Sequence, residues 1–271
     1  MHPIEHLRYV ARAQGADPAS LVEETAHALG SMQFDPSGLV VACRRIVERH
    51  PFTGPLWWLC ANVATSAEPF EAVWELADTI RHDPTARELA ANLPDDATVV
   101  TIGEPHVIGD GLVRRGDTRV LAFDAAHTAS SFVRRLERHD VDVEPVDAGV
   151  AGSVIRHADL VLVEALAVDP DRAIVPIGSS TIAAVAFASG TPVWLVAGTG
   201  RRLPPAFVDA MEGRIEHLVD EGIDPWDLDV EVLPLTLATD VVGPHGRVPM
   251  GPPAIVAECP LALELLRQSP I

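Results

Sequence analysis

Two acids and a histidine follow apolar runs of the sequence, where side chains with acid–base chemistry could meet a ligand. Glu104 and His106 come after the run 98–102, and Glu164 comes directly after the run 159–163. A carboxylate and an imidazole that converge on one ligand can serve as general acid and general base. A capped turn with a solvated carboxylate explains Glu104 and His106 as well. We prefer this second interpretation, because the spacing identifies no third group that would orient them.

Glu164 is the most informative of these acids. The run that precedes it, Asp159-Leu160-Val161-Leu162-Val163, predicts a buried central strand. A carboxylate at the end of such a strand needs a partner, because burying an unpaired charge is costly. Two roles stay open for it: proton transfer in an active site, or binding of an exposed loop amide.

A turn rich in glycine and hydroxyl groups offers a site for an anion. Gly178, Ser179, Ser180 and Thr181 precede an alanine-rich helix and bring free backbone N–H groups to its positive end. A phosphate or a carboxylate suits this arrangement, and an ordinary serine or threonine helix cap explains it equally well. The turn is not a Walker motif, and no G-x-G-x-x-G opens a βαβ unit at the first predicted strand. We therefore predict no cofactor.

Other positions face the same predicted crevice. Gly103 ends the first predicted strand, and Asp147 ends the third, just before small residues at a helix start. Asp147 either holds ligand hydroxyls or caps its own helix, and capping is the preferred interpretation. Arg201 and Arg202 follow a later strand end and could reach an anion, although solvated helix ends explain such pairs more simply. No metal site is predicted.

The elements that must position these residues change in character at Leu93-Pro94-Asp95-Asp96. Before this boundary, apolar residues recur at helical spacing, as at Ile4, Leu7, Val10 and Ala11, and Pro or Gly separates the segments. The predicted helices are one that starts at Pro18, followed by Gly38 to Arg49, Pro55 to Thr65, Glu68 to His82 and Pro84 to Leu93.

After the boundary, short β-rich runs alternate with amphipathic helices, the pattern of a parallel sheet covered on both faces. The predicted strands are Thr98 to Ile102, Arg119 to Phe123, Val143 to Val146, Asp159 to Val163, Pro192 to Val196 and Val230 to Leu233. The predicted helices are His106 to Arg115, Ser130 to His139, Gly149 to His157, Ser179 to Ser189, Pro205 to Val219 and Pro260 to Gln268. We therefore predict an α/β protein with a helical domain at 1–95 and a sheet domain at 96–271. In such sheets ligands bind beyond the carboxyl ends of the strands, near the point where strand order reverses.

Composition and charge exclude several classes of protein. The formal net charge of −19 over 271 residues disfavours broad electrostatic binding of nucleic acid. All 20 residues of the Lys+Arg count are arginine, so a lysine Schiff base or phosphate-loop lysine is excluded. Cys43, Cys60 and Cys259 are widely spaced among apolar residues and indicate buried thiols. No run is long enough for a membrane span, and the start lacks the pattern of a secretory signal, so we expect a cytoplasmic protein without membrane contacts.

Several segments follow one another in a recognisable order. They are Asp147-Ala148-Gly149-Val150-Ala151, His157 to Val168, Ile177-Gly178-Ser179-Ser180, Pro192 to Ala197 and Thr239 to Gly246. Together they resemble the family of the alpha, beta and delta subunits of translation initiation factor 2B, which also contains methylthioribose-1-phosphate isomerase and ribose-1,5-bisphosphate isomerase. The resemblance implies a helical domain before a Rossmann-like parallel sheet domain of the sugar-phosphate isomerase/CoA-transferase-like type. It also implies a homodimer through the Rossmann-like halves.

The isomerases of this family need residues that the chain lacks. Their catalytic cysteine falls in the turn that ends here in Gly103, and their catalytic aspartate corresponds to Leu166. Their Asn-Lys pair corresponds to Val175-Pro176. Glycine and leucine cannot replace a thiol and a carboxylate in proton transfer. The resemblance therefore implies the fold without the family's isomerase activity.

Three functions are consistent with these residues. The first is an initiation factor 2B-like protein that binds a small phosphorylated metabolite or a nucleotide at Gly178 to Thr181, with Asp147 at the sugar. The second is a sugar-phosphate isomerase-like enzyme with a rebuilt active site that uses Glu104, His106 or Glu164. The third is a non-catalytic structural or regulatory subunit in which the dimer surface is what matters.

Overall fold

The computed structural model describes residues 17–32, 36–124, 129–251 and 254–267. The helical spacing noted at Ile4, Leu7, Val10 and Ala11 lies outside these residues. No helix of the described chain is long and apolar enough to cross a membrane. The cytoplasmic location stays a prediction.

A layer of helices forms the first part of the described chain. Its members are α1 (Pro18–Gly30), α2 (Pro36–Arg49), α3 (Gly54–Thr65), α4 (Pro69–Arg81) and α5 (Thr85–Asn92). Proline stands in the first turn of α1, α3 and α4, where its missing N–H is not needed and its fixed φ suits the helix. Asp17 caps α1, and its Oδ2 accepts a hydrogen bond from the Ser20 amide at 3.1 Å. The helices predicted from periodicity are present, with small shifts at their ends.

Ten strands and five α-helices follow Pro94 in the described part of the chain. The strands are β1 (Thr98–Ile102), β2 (Arg119–Phe123), β3 (Asp142–Val146), β4 (Leu160–Glu164), β5 (Ala167–Val168), β6 (Arg172–Pro176), β7 (Val193–Val196), β8 (Val230–Pro234), β9 (Asp240–Gly243) and β10 (Gly246–Pro249). The helices are α6 (His106–Arg115), α7 (Ala129–Glu137), α8 (Ala151–His157), α9 (Ser179–Ser189) and α10 (Pro205–Asp220). The bounds of β1, β2, α6 and α9 are those predicted from the sequence. This is the predicted α/β fold with a helical part in front of it.

The larger sheet has seven strands in the order β10-β9-β7-β4-β1-β2-β3. Neighbouring strands are parallel except β10, which pairs antiparallel with β9. The chain runs outward from β1 through β2 to β3, and then returns to β4 on the other side of β1. Strand order therefore reverses between β1 and β4, which places the expected ligand crevice at their carboxyl ends.

A second, smaller sheet was not predicted. Its order is β5-β6-β8, and its strands are antiparallel. The run Val230 to Leu233, which we predicted as part of the parallel sheet, pairs instead with β6, with Val232 opposite Ile174. A short apolar run predicts a strand, but it does not predict which strand it pairs with.

The end of the described chain also differs from the prediction. Over the described part of the helix predicted at Pro260 to Gln268, only a 3₁₀ turn at Leu263–Leu266 forms. The segment packs on the helical layer, since Leu265 lies in its apolar core and Nε of Arg44 donates to the Glu264 carbonyl at 3.0 Å. We call residues 254–267 the C-terminal segment.

One apolar core joins the helical layer to the rest of the chain. Trp57 and Leu59 of α3 share it with Phe207 of α10 and with Cys259 and Leu265 of the C-terminal segment. Two further cores cover the faces of the larger sheet. All three cysteines are free and buried, as the sequence predicts. The division into domains at 1–95 and 96–271 stays a prediction.

Candidate functional site

The turn after β1 opens toward the point where strand order reverses. Gly103 has a φ of 72°, which a residue with a side chain rarely adopts. Its amide donates a hydrogen bond to the Phe123 carbonyl at 3.0 Å, at the end of β2. This sharp turn brings the first residues of α6 directly to the carboxyl edge of the sheet.

Glu164 ends β4 at this edge and is 5% exposed. Its Oε1 lies 2.9 Å from Nη1 of Arg201, whose side chain is 4% exposed. Its Oε2 accepts a hydrogen bond from the Ile108 amide at 3.0 Å, in the first turn of α6. Of the two roles proposed for Glu164, the binding of a backbone amide is therefore present. Proton transfer stays a prediction, because Glu164 could reach a ligand only after its contact with Arg201 or with the Ile108 amide breaks.

Arg201 was the less favoured anion candidate, and the structure gives it a central position. Its Nη1 contacts both Glu164 and the carbonyl oxygen of Ala165, which lies 2.5 Å away. The residue also lines a cleft of about 150 Å³ between the helical layer and the edge of the sheet. Arginine suits both buried ion pairs and phosphate recognition, and Arg201 already has Glu164 as its carboxylate partner.

Both acids and bases line the same cleft. From the helical layer come Asp17, Arg81 and Asp83, and from α6 come His106 and Asp110. Thr199 adds a hydroxyl from the loop after β7. The arrangement can bind an anion near its bases and hydroxyl groups near its carboxylates.

Asp83 is a residue of this cleft that the sequence did not single out. Its Oδ2 accepts from the Thr199 amide and its Oδ1 from the Thr199 hydroxyl, both at 3.0 Å. Its Oδ1 also accepts from the Thr85 amide at 3.0 Å, at the start of α5. The position of Asp83 before Pro84-Thr85 indicates only that it caps a helix. The structure adds that Asp83 holds the loop after β7 against the helical layer.

Glu104 and His106 do not form a pair with each other. His106 begins α6 and lines the cleft, and its Nδ1 lies 3.7 Å from Oδ1 of Asp17. Glu104 is half-buried and is not one of the residues that line the cleft. Their catalytic roles stay a prediction, and His106 is better placed than Glu104 to meet a ligand.

The turn at Gly178 to Thr181 already binds a carboxylate from its own chain. Oε1 of Glu231, on β8, accepts a hydrogen bond from the Ser180 amide at 2.7 Å. The Ser180 hydroxyl donates to the Val232 carbonyl at 3.2 Å, while Ser179 is fully buried and Thr181 is exposed. Gly178 has a φ of 86° and caps α9. The role of this turn in ligand binding stays a prediction, and it requires that Glu231 moves away.

Asp147 makes the contact expected of a cap. Its Oδ1 accepts a hydrogen bond from the Gly149 amide at 2.7 Å, at the start of a 3₁₀ turn at Ala148–Val150. The side chain is exposed at the end of β3, which is an edge strand of the larger sheet. Contact with a ligand stays a prediction for this residue. The described residues contain no group of three His, Cys, Asp or Glu side chains that could hold a metal ion.

The positions that correspond to isomerase residues have structural contacts here. The Leu166 carbonyl accepts a hydrogen bond from the Gly54 amide at 3.1 Å and so joins the sheet to the start of α3. Val175 is buried in β6, and Pro176 ends that strand. Neither position brings an ionisable group to the carboxyl edge of the sheet.

Comparison with known proteins identifies the fold. No protein family model and no curated protein sequence matches the chain. Among solved structures, the Pyrococcus horikoshii OT3 translation initiation factor eIF-2B matches with a TM-score of 0.74 and 15% identity, over 94% of this chain and 98% of that one. The eIF2B beta subunit of Chaetomium thermophilum matches with a TM-score of 0.68 and 13% identity, over 92% and 88%. A chain of the tetrameric eIF2B-beta2-delta2 complex from C. thermophilum matches with a TM-score of 0.66 and 14% identity, over 91% and 90%. The chain therefore has the fold of eIF2B subunits over nearly its whole length.

Proposed function

We propose that the chain is a divergent eIF2B-like protein that binds a small phosphorylated metabolite at the carboxyl edge of its sheet, without isomerase activity. The fold supports the relationship to eIF2B subunits, and the position of the cleft at the strand-order reversal supports a small ligand. The observation that carries the proposal is Arg201, a buried arginine at the wall of this cleft.

The chemistry of the cleft favours a ligand with an anionic group and hydroxyl groups. Nη1 of Arg201 contacts Glu164 and the Ala165 carbonyl, and a ligand anion would have to be met by the part of the side chain that lines the cleft. His106 and Arg81 add positive charge at the same cleft when the histidine is protonated. Asp110 and Asp17 can accept hydrogen bonds from sugar hydroxyls. Three aspartates also line the cleft, and Arg81 pairs with Glu23 at 2.6 Å, so an anion would be bound locally at Arg201 and not by the net charge of the cleft.

The absence of isomerase activity rests on residue identity. A glycine and a leucine, Gly103 and Leu166, stand where the resemblance puts the catalytic cysteine and aspartate. Leu166 lies in the loop between β4 and β5, and its backbone carbonyl is bound to the Gly54 amide. No thiol is close enough in sequence to replace the missing one, and all three cysteines are buried.

A binding experiment tests the proposal. Thermal unfolding would be measured with ribose 5-phosphate, ribose and inorganic phosphate, since binding to the native state raises its stability. We expect the largest rise with ribose 5-phosphate, and a smaller rise in the cleft variants His106→Gln and Arg81→Gln. Thr181→Ala is the control at the Gly178 turn and should respond like the original chain. The proposal fails if no phosphorylated compound raises the unfolding temperature.

The same experiment decides between the two candidate anion sites. If ligand binding is lost in Thr181→Ala and strengthened by Glu231→Gln, the ligand binds at the turn and not in the cleft. Binding that depends on His106 and Arg81 but not on Thr181 places it in the cleft. The first result would contradict our assignment while leaving the predicted ligand-binding role of Gly178 to Thr181 in place.

An enzyme with a rebuilt active site is the second candidate. His106 at the cleft and Glu164 behind Arg201 are its available acid–base groups. The discriminating measurement is turnover of the bound sugar phosphate, followed by the exchange of its α-proton with solvent. Turnover that His106→Gln abolishes without loss of binding would establish the enzyme.

We also propose that the chain forms a homodimer through α9. Its 11 residues include no charged side chain, yet Phe187 is 68% exposed. Ala184 and Ala188 flank Phe187 on the same exposed side of the helix. A helix that is apolar all round is normally covered. Two copies of a strongly acidic chain repel one another least where the surface carries no acids. The same dimer surface would serve a structural or regulatory subunit that binds no ligand.

A further inference from the structure

Trp226 is the most exposed of the large apolar side chains in the described part of the molecule, at 74%. It lies on a 3₁₀ turn, Pro225–Asp227, that joins α10 to β8. Val219 and Ile223, close to it in sequence, are 36% and 38% exposed. A tryptophan whose indole is exposed to solvent and contributes little to the apolar core is typical of a residue that anchors a partner.

The backbone that presents Trp226 is held in place. The Ile223 amide donates to the Leu218 carbonyl at 3.1 Å, and the Asp227 amide donates to the Asp224 carbonyl at 2.9 Å. Leu228 is buried, and the Asp229 carbonyl accepts from the Ile177 amide at 3.0 Å. A side chain on a fixed backbone binds with a smaller loss of conformational entropy than one on a loose loop.

Acidic side chains that have no basic partner in the described part of the chain surround Trp226 in the sequence. Asp220, Asp224, Asp227 and Asp229 are exposed, and none of them forms an ion pair within the described residues. The bases nearest in sequence, Arg214 and His217, are directed to Glu221, at 3.9 and 3.4 Å. The segment therefore combines one prominent aromatic ring with a surplus of negative charge.

We propose that residues 219–229, the Trp226 loop, dock a basic segment of a partner protein. An arginine or lysine of that segment would lie over the indole face, which is the best cation–π acceptor among side chains. The aspartates on either side would pair with its further positive charges, and its apolar residues would cover Val219 and Ile223. Charge disfavours other occupants, because nucleic acid, an anionic lipid surface and a second copy of this chain would all bring more negative charge.

The Trp226 loop is separate from the cleft. None of its residues lines the cleft at Arg201, so the two proposals stand or fall independently. Loss of metabolite binding would leave the docking proposal untouched, and loss of docking would leave the metabolite proposal untouched.

The test uses the full chain and a synthetic, labelled peptide of alternating arginine and leucine, titrated by fluorescence anisotropy. The control peptide has glutamate in place of each arginine. We expect the basic peptide alone to bind, with an affinity that falls as salt rises. Trp226→Ala should weaken binding by about tenfold or more, and Asp224→Asn with Asp227→Asn should weaken it several-fold. The Trp226→Ala variant should unfold at the temperature of the original chain, because the indole is exposed.

Two matched variants separate specific docking from general attraction to an acidic protein. Glu68→Gln with Glu71→Gln removes two exposed acids from the start of α4, and Trp74→Ala removes another indole, which is 44% exposed and lies outside the Trp226 loop. Both should bind the peptide like the original chain. The proposal is overturned if the peptide does not bind, if Trp226→Ala binds unchanged, or if the two control variants lose as much affinity as the loop variants. Self-association of the chain that Trp226→Ala abolishes would also overturn it, in favour of a second copy as the occupant.

Discussion

Glu164 and Arg201 form a buried ion pair at the point where strand order reverses, with Oε1 and Nη1 2.9 Å apart. The pair links the end of β4 to the loop after β7, and the second carboxylate oxygen reaches the Ile108 amide of α6. Three elements that meet at the candidate site are therefore held by one acid and one base. The pair also fixes the orientation of the guanidinium that lines the cleft.

Glu164→Gln should destabilise the fold strongly. The amide has the size of the carboxylate, but it leaves the Arg201 charge buried and unpaired, which costs about 3–5 kcal/mol of unfolding free energy. Urea denaturation measures this loss. The control is the double variant Glu164→Leu with Arg201→Met, which removes both charges and should recover most of the stability. Equal stability of Glu164→Gln and the original chain would show that the pair does not hold these elements together.

Gly54→Ala should also destabilise the fold. A Cβ at Gly54 would overlap the Leu166 carbonyl oxygen, which belongs to the backbone and cannot move aside cheaply. We expect a loss of about 2–4 kcal/mol, together with loss of the Gly54–Leu166 hydrogen bond. Gly213→Ala is the matched control. Its Cβ meets nothing within 4 Å, so the better helix propensity of alanine in α10 should raise stability by about 0.8–1 kcal/mol. A Gly54→Ala chain as stable as the original would refute the contact.

The stability of the chain should depend on pH through Glu258. Burial raises the pKa of this carboxyl above its ordinary value of 4.5, although Arg202 and the amides of Gly200 and Arg202 partly oppose the shift. Asp83 raises it further. A raised pKa means that the folded state binds the proton more tightly than the unfolded state. The contribution of Glu258 to stability is therefore complete below pH 4.5 and is lost as pH rises through the folded-state pKa.

The measurement for Glu258 is the unfolding free energy of the original chain and of Glu258→Gln across that pH range. As pH rises above the ordinary pKa of the carboxyl, the unfolding free energy of the original chain should fall relative to that of Glu258→Gln. A difference that is constant with pH, or that moves the other way, would contradict the shift. A second variant, Arg202→Gln, removes the 3.1 Å ion pair with Glu258 and should widen the pH range of the effect.

The thiols should be unreactive in the native protein. A hydrogen bond with Cys43, followed by burial, raises the pKa of Cys60 well above its ordinary value. Burial raises the pKa of Cys259 to about 12. Because the thiolate is the reactive form, an aromatic disulfide reagent at pH 8 should modify almost no thiol until denaturant is added, and then all three. Rapid reaction of one native thiol would show that the C-terminal segment or α3 opens.

Phe187→Glu should prevent dimer formation through α9. The substitution places a charge on a face that has none, and in a symmetric dimer the two copies of that charge would repel each other. Sedimentation velocity should show the original chain as a dimer and the variant as a monomer of unchanged stability. Phe187→Leu, which keeps the surface apolar, should remain dimeric. A monomeric original chain would rule out the dimer directly.

Much of the fold was predictable from the sequence. The parallel strands β1, β2 and β4 are short, largely buried apolar runs, and the helices between them repeat apolar residues at helical spacing. Such local patterns determine the type of each element. The antiparallel pairing of β6 with β8 was not predictable in the same way, because it joins residues far apart in the chain.

The candidate site was less predictable than the fold. The position of Glu164 at the end of a buried strand indicated that it needs a partner, and the structure shows that this partner is Arg201. Arg201 lies 37 residues later in the sequence, and the intervening chain contributes strands to both sheets. Nothing near Asp83 in sequence indicated that it holds Thr199. Glu231 likewise occupies the Gly178 turn from a strand whose pairing was unknown. Local sequence predicts what a residue can do, but the partner depends on tertiary structure.

The C-terminal segment completes a core that begins at the other end of the described chain. Cys259 and Leu265 pack with residues of α1, α2 and α3, so this core closes only when segments far apart in the sequence meet. During folding the apolar surface around Trp57 and Leu59 therefore remains open until the C-terminal segment packs on it. Such long-range closure is slow and exposes a nascent chain to aggregation.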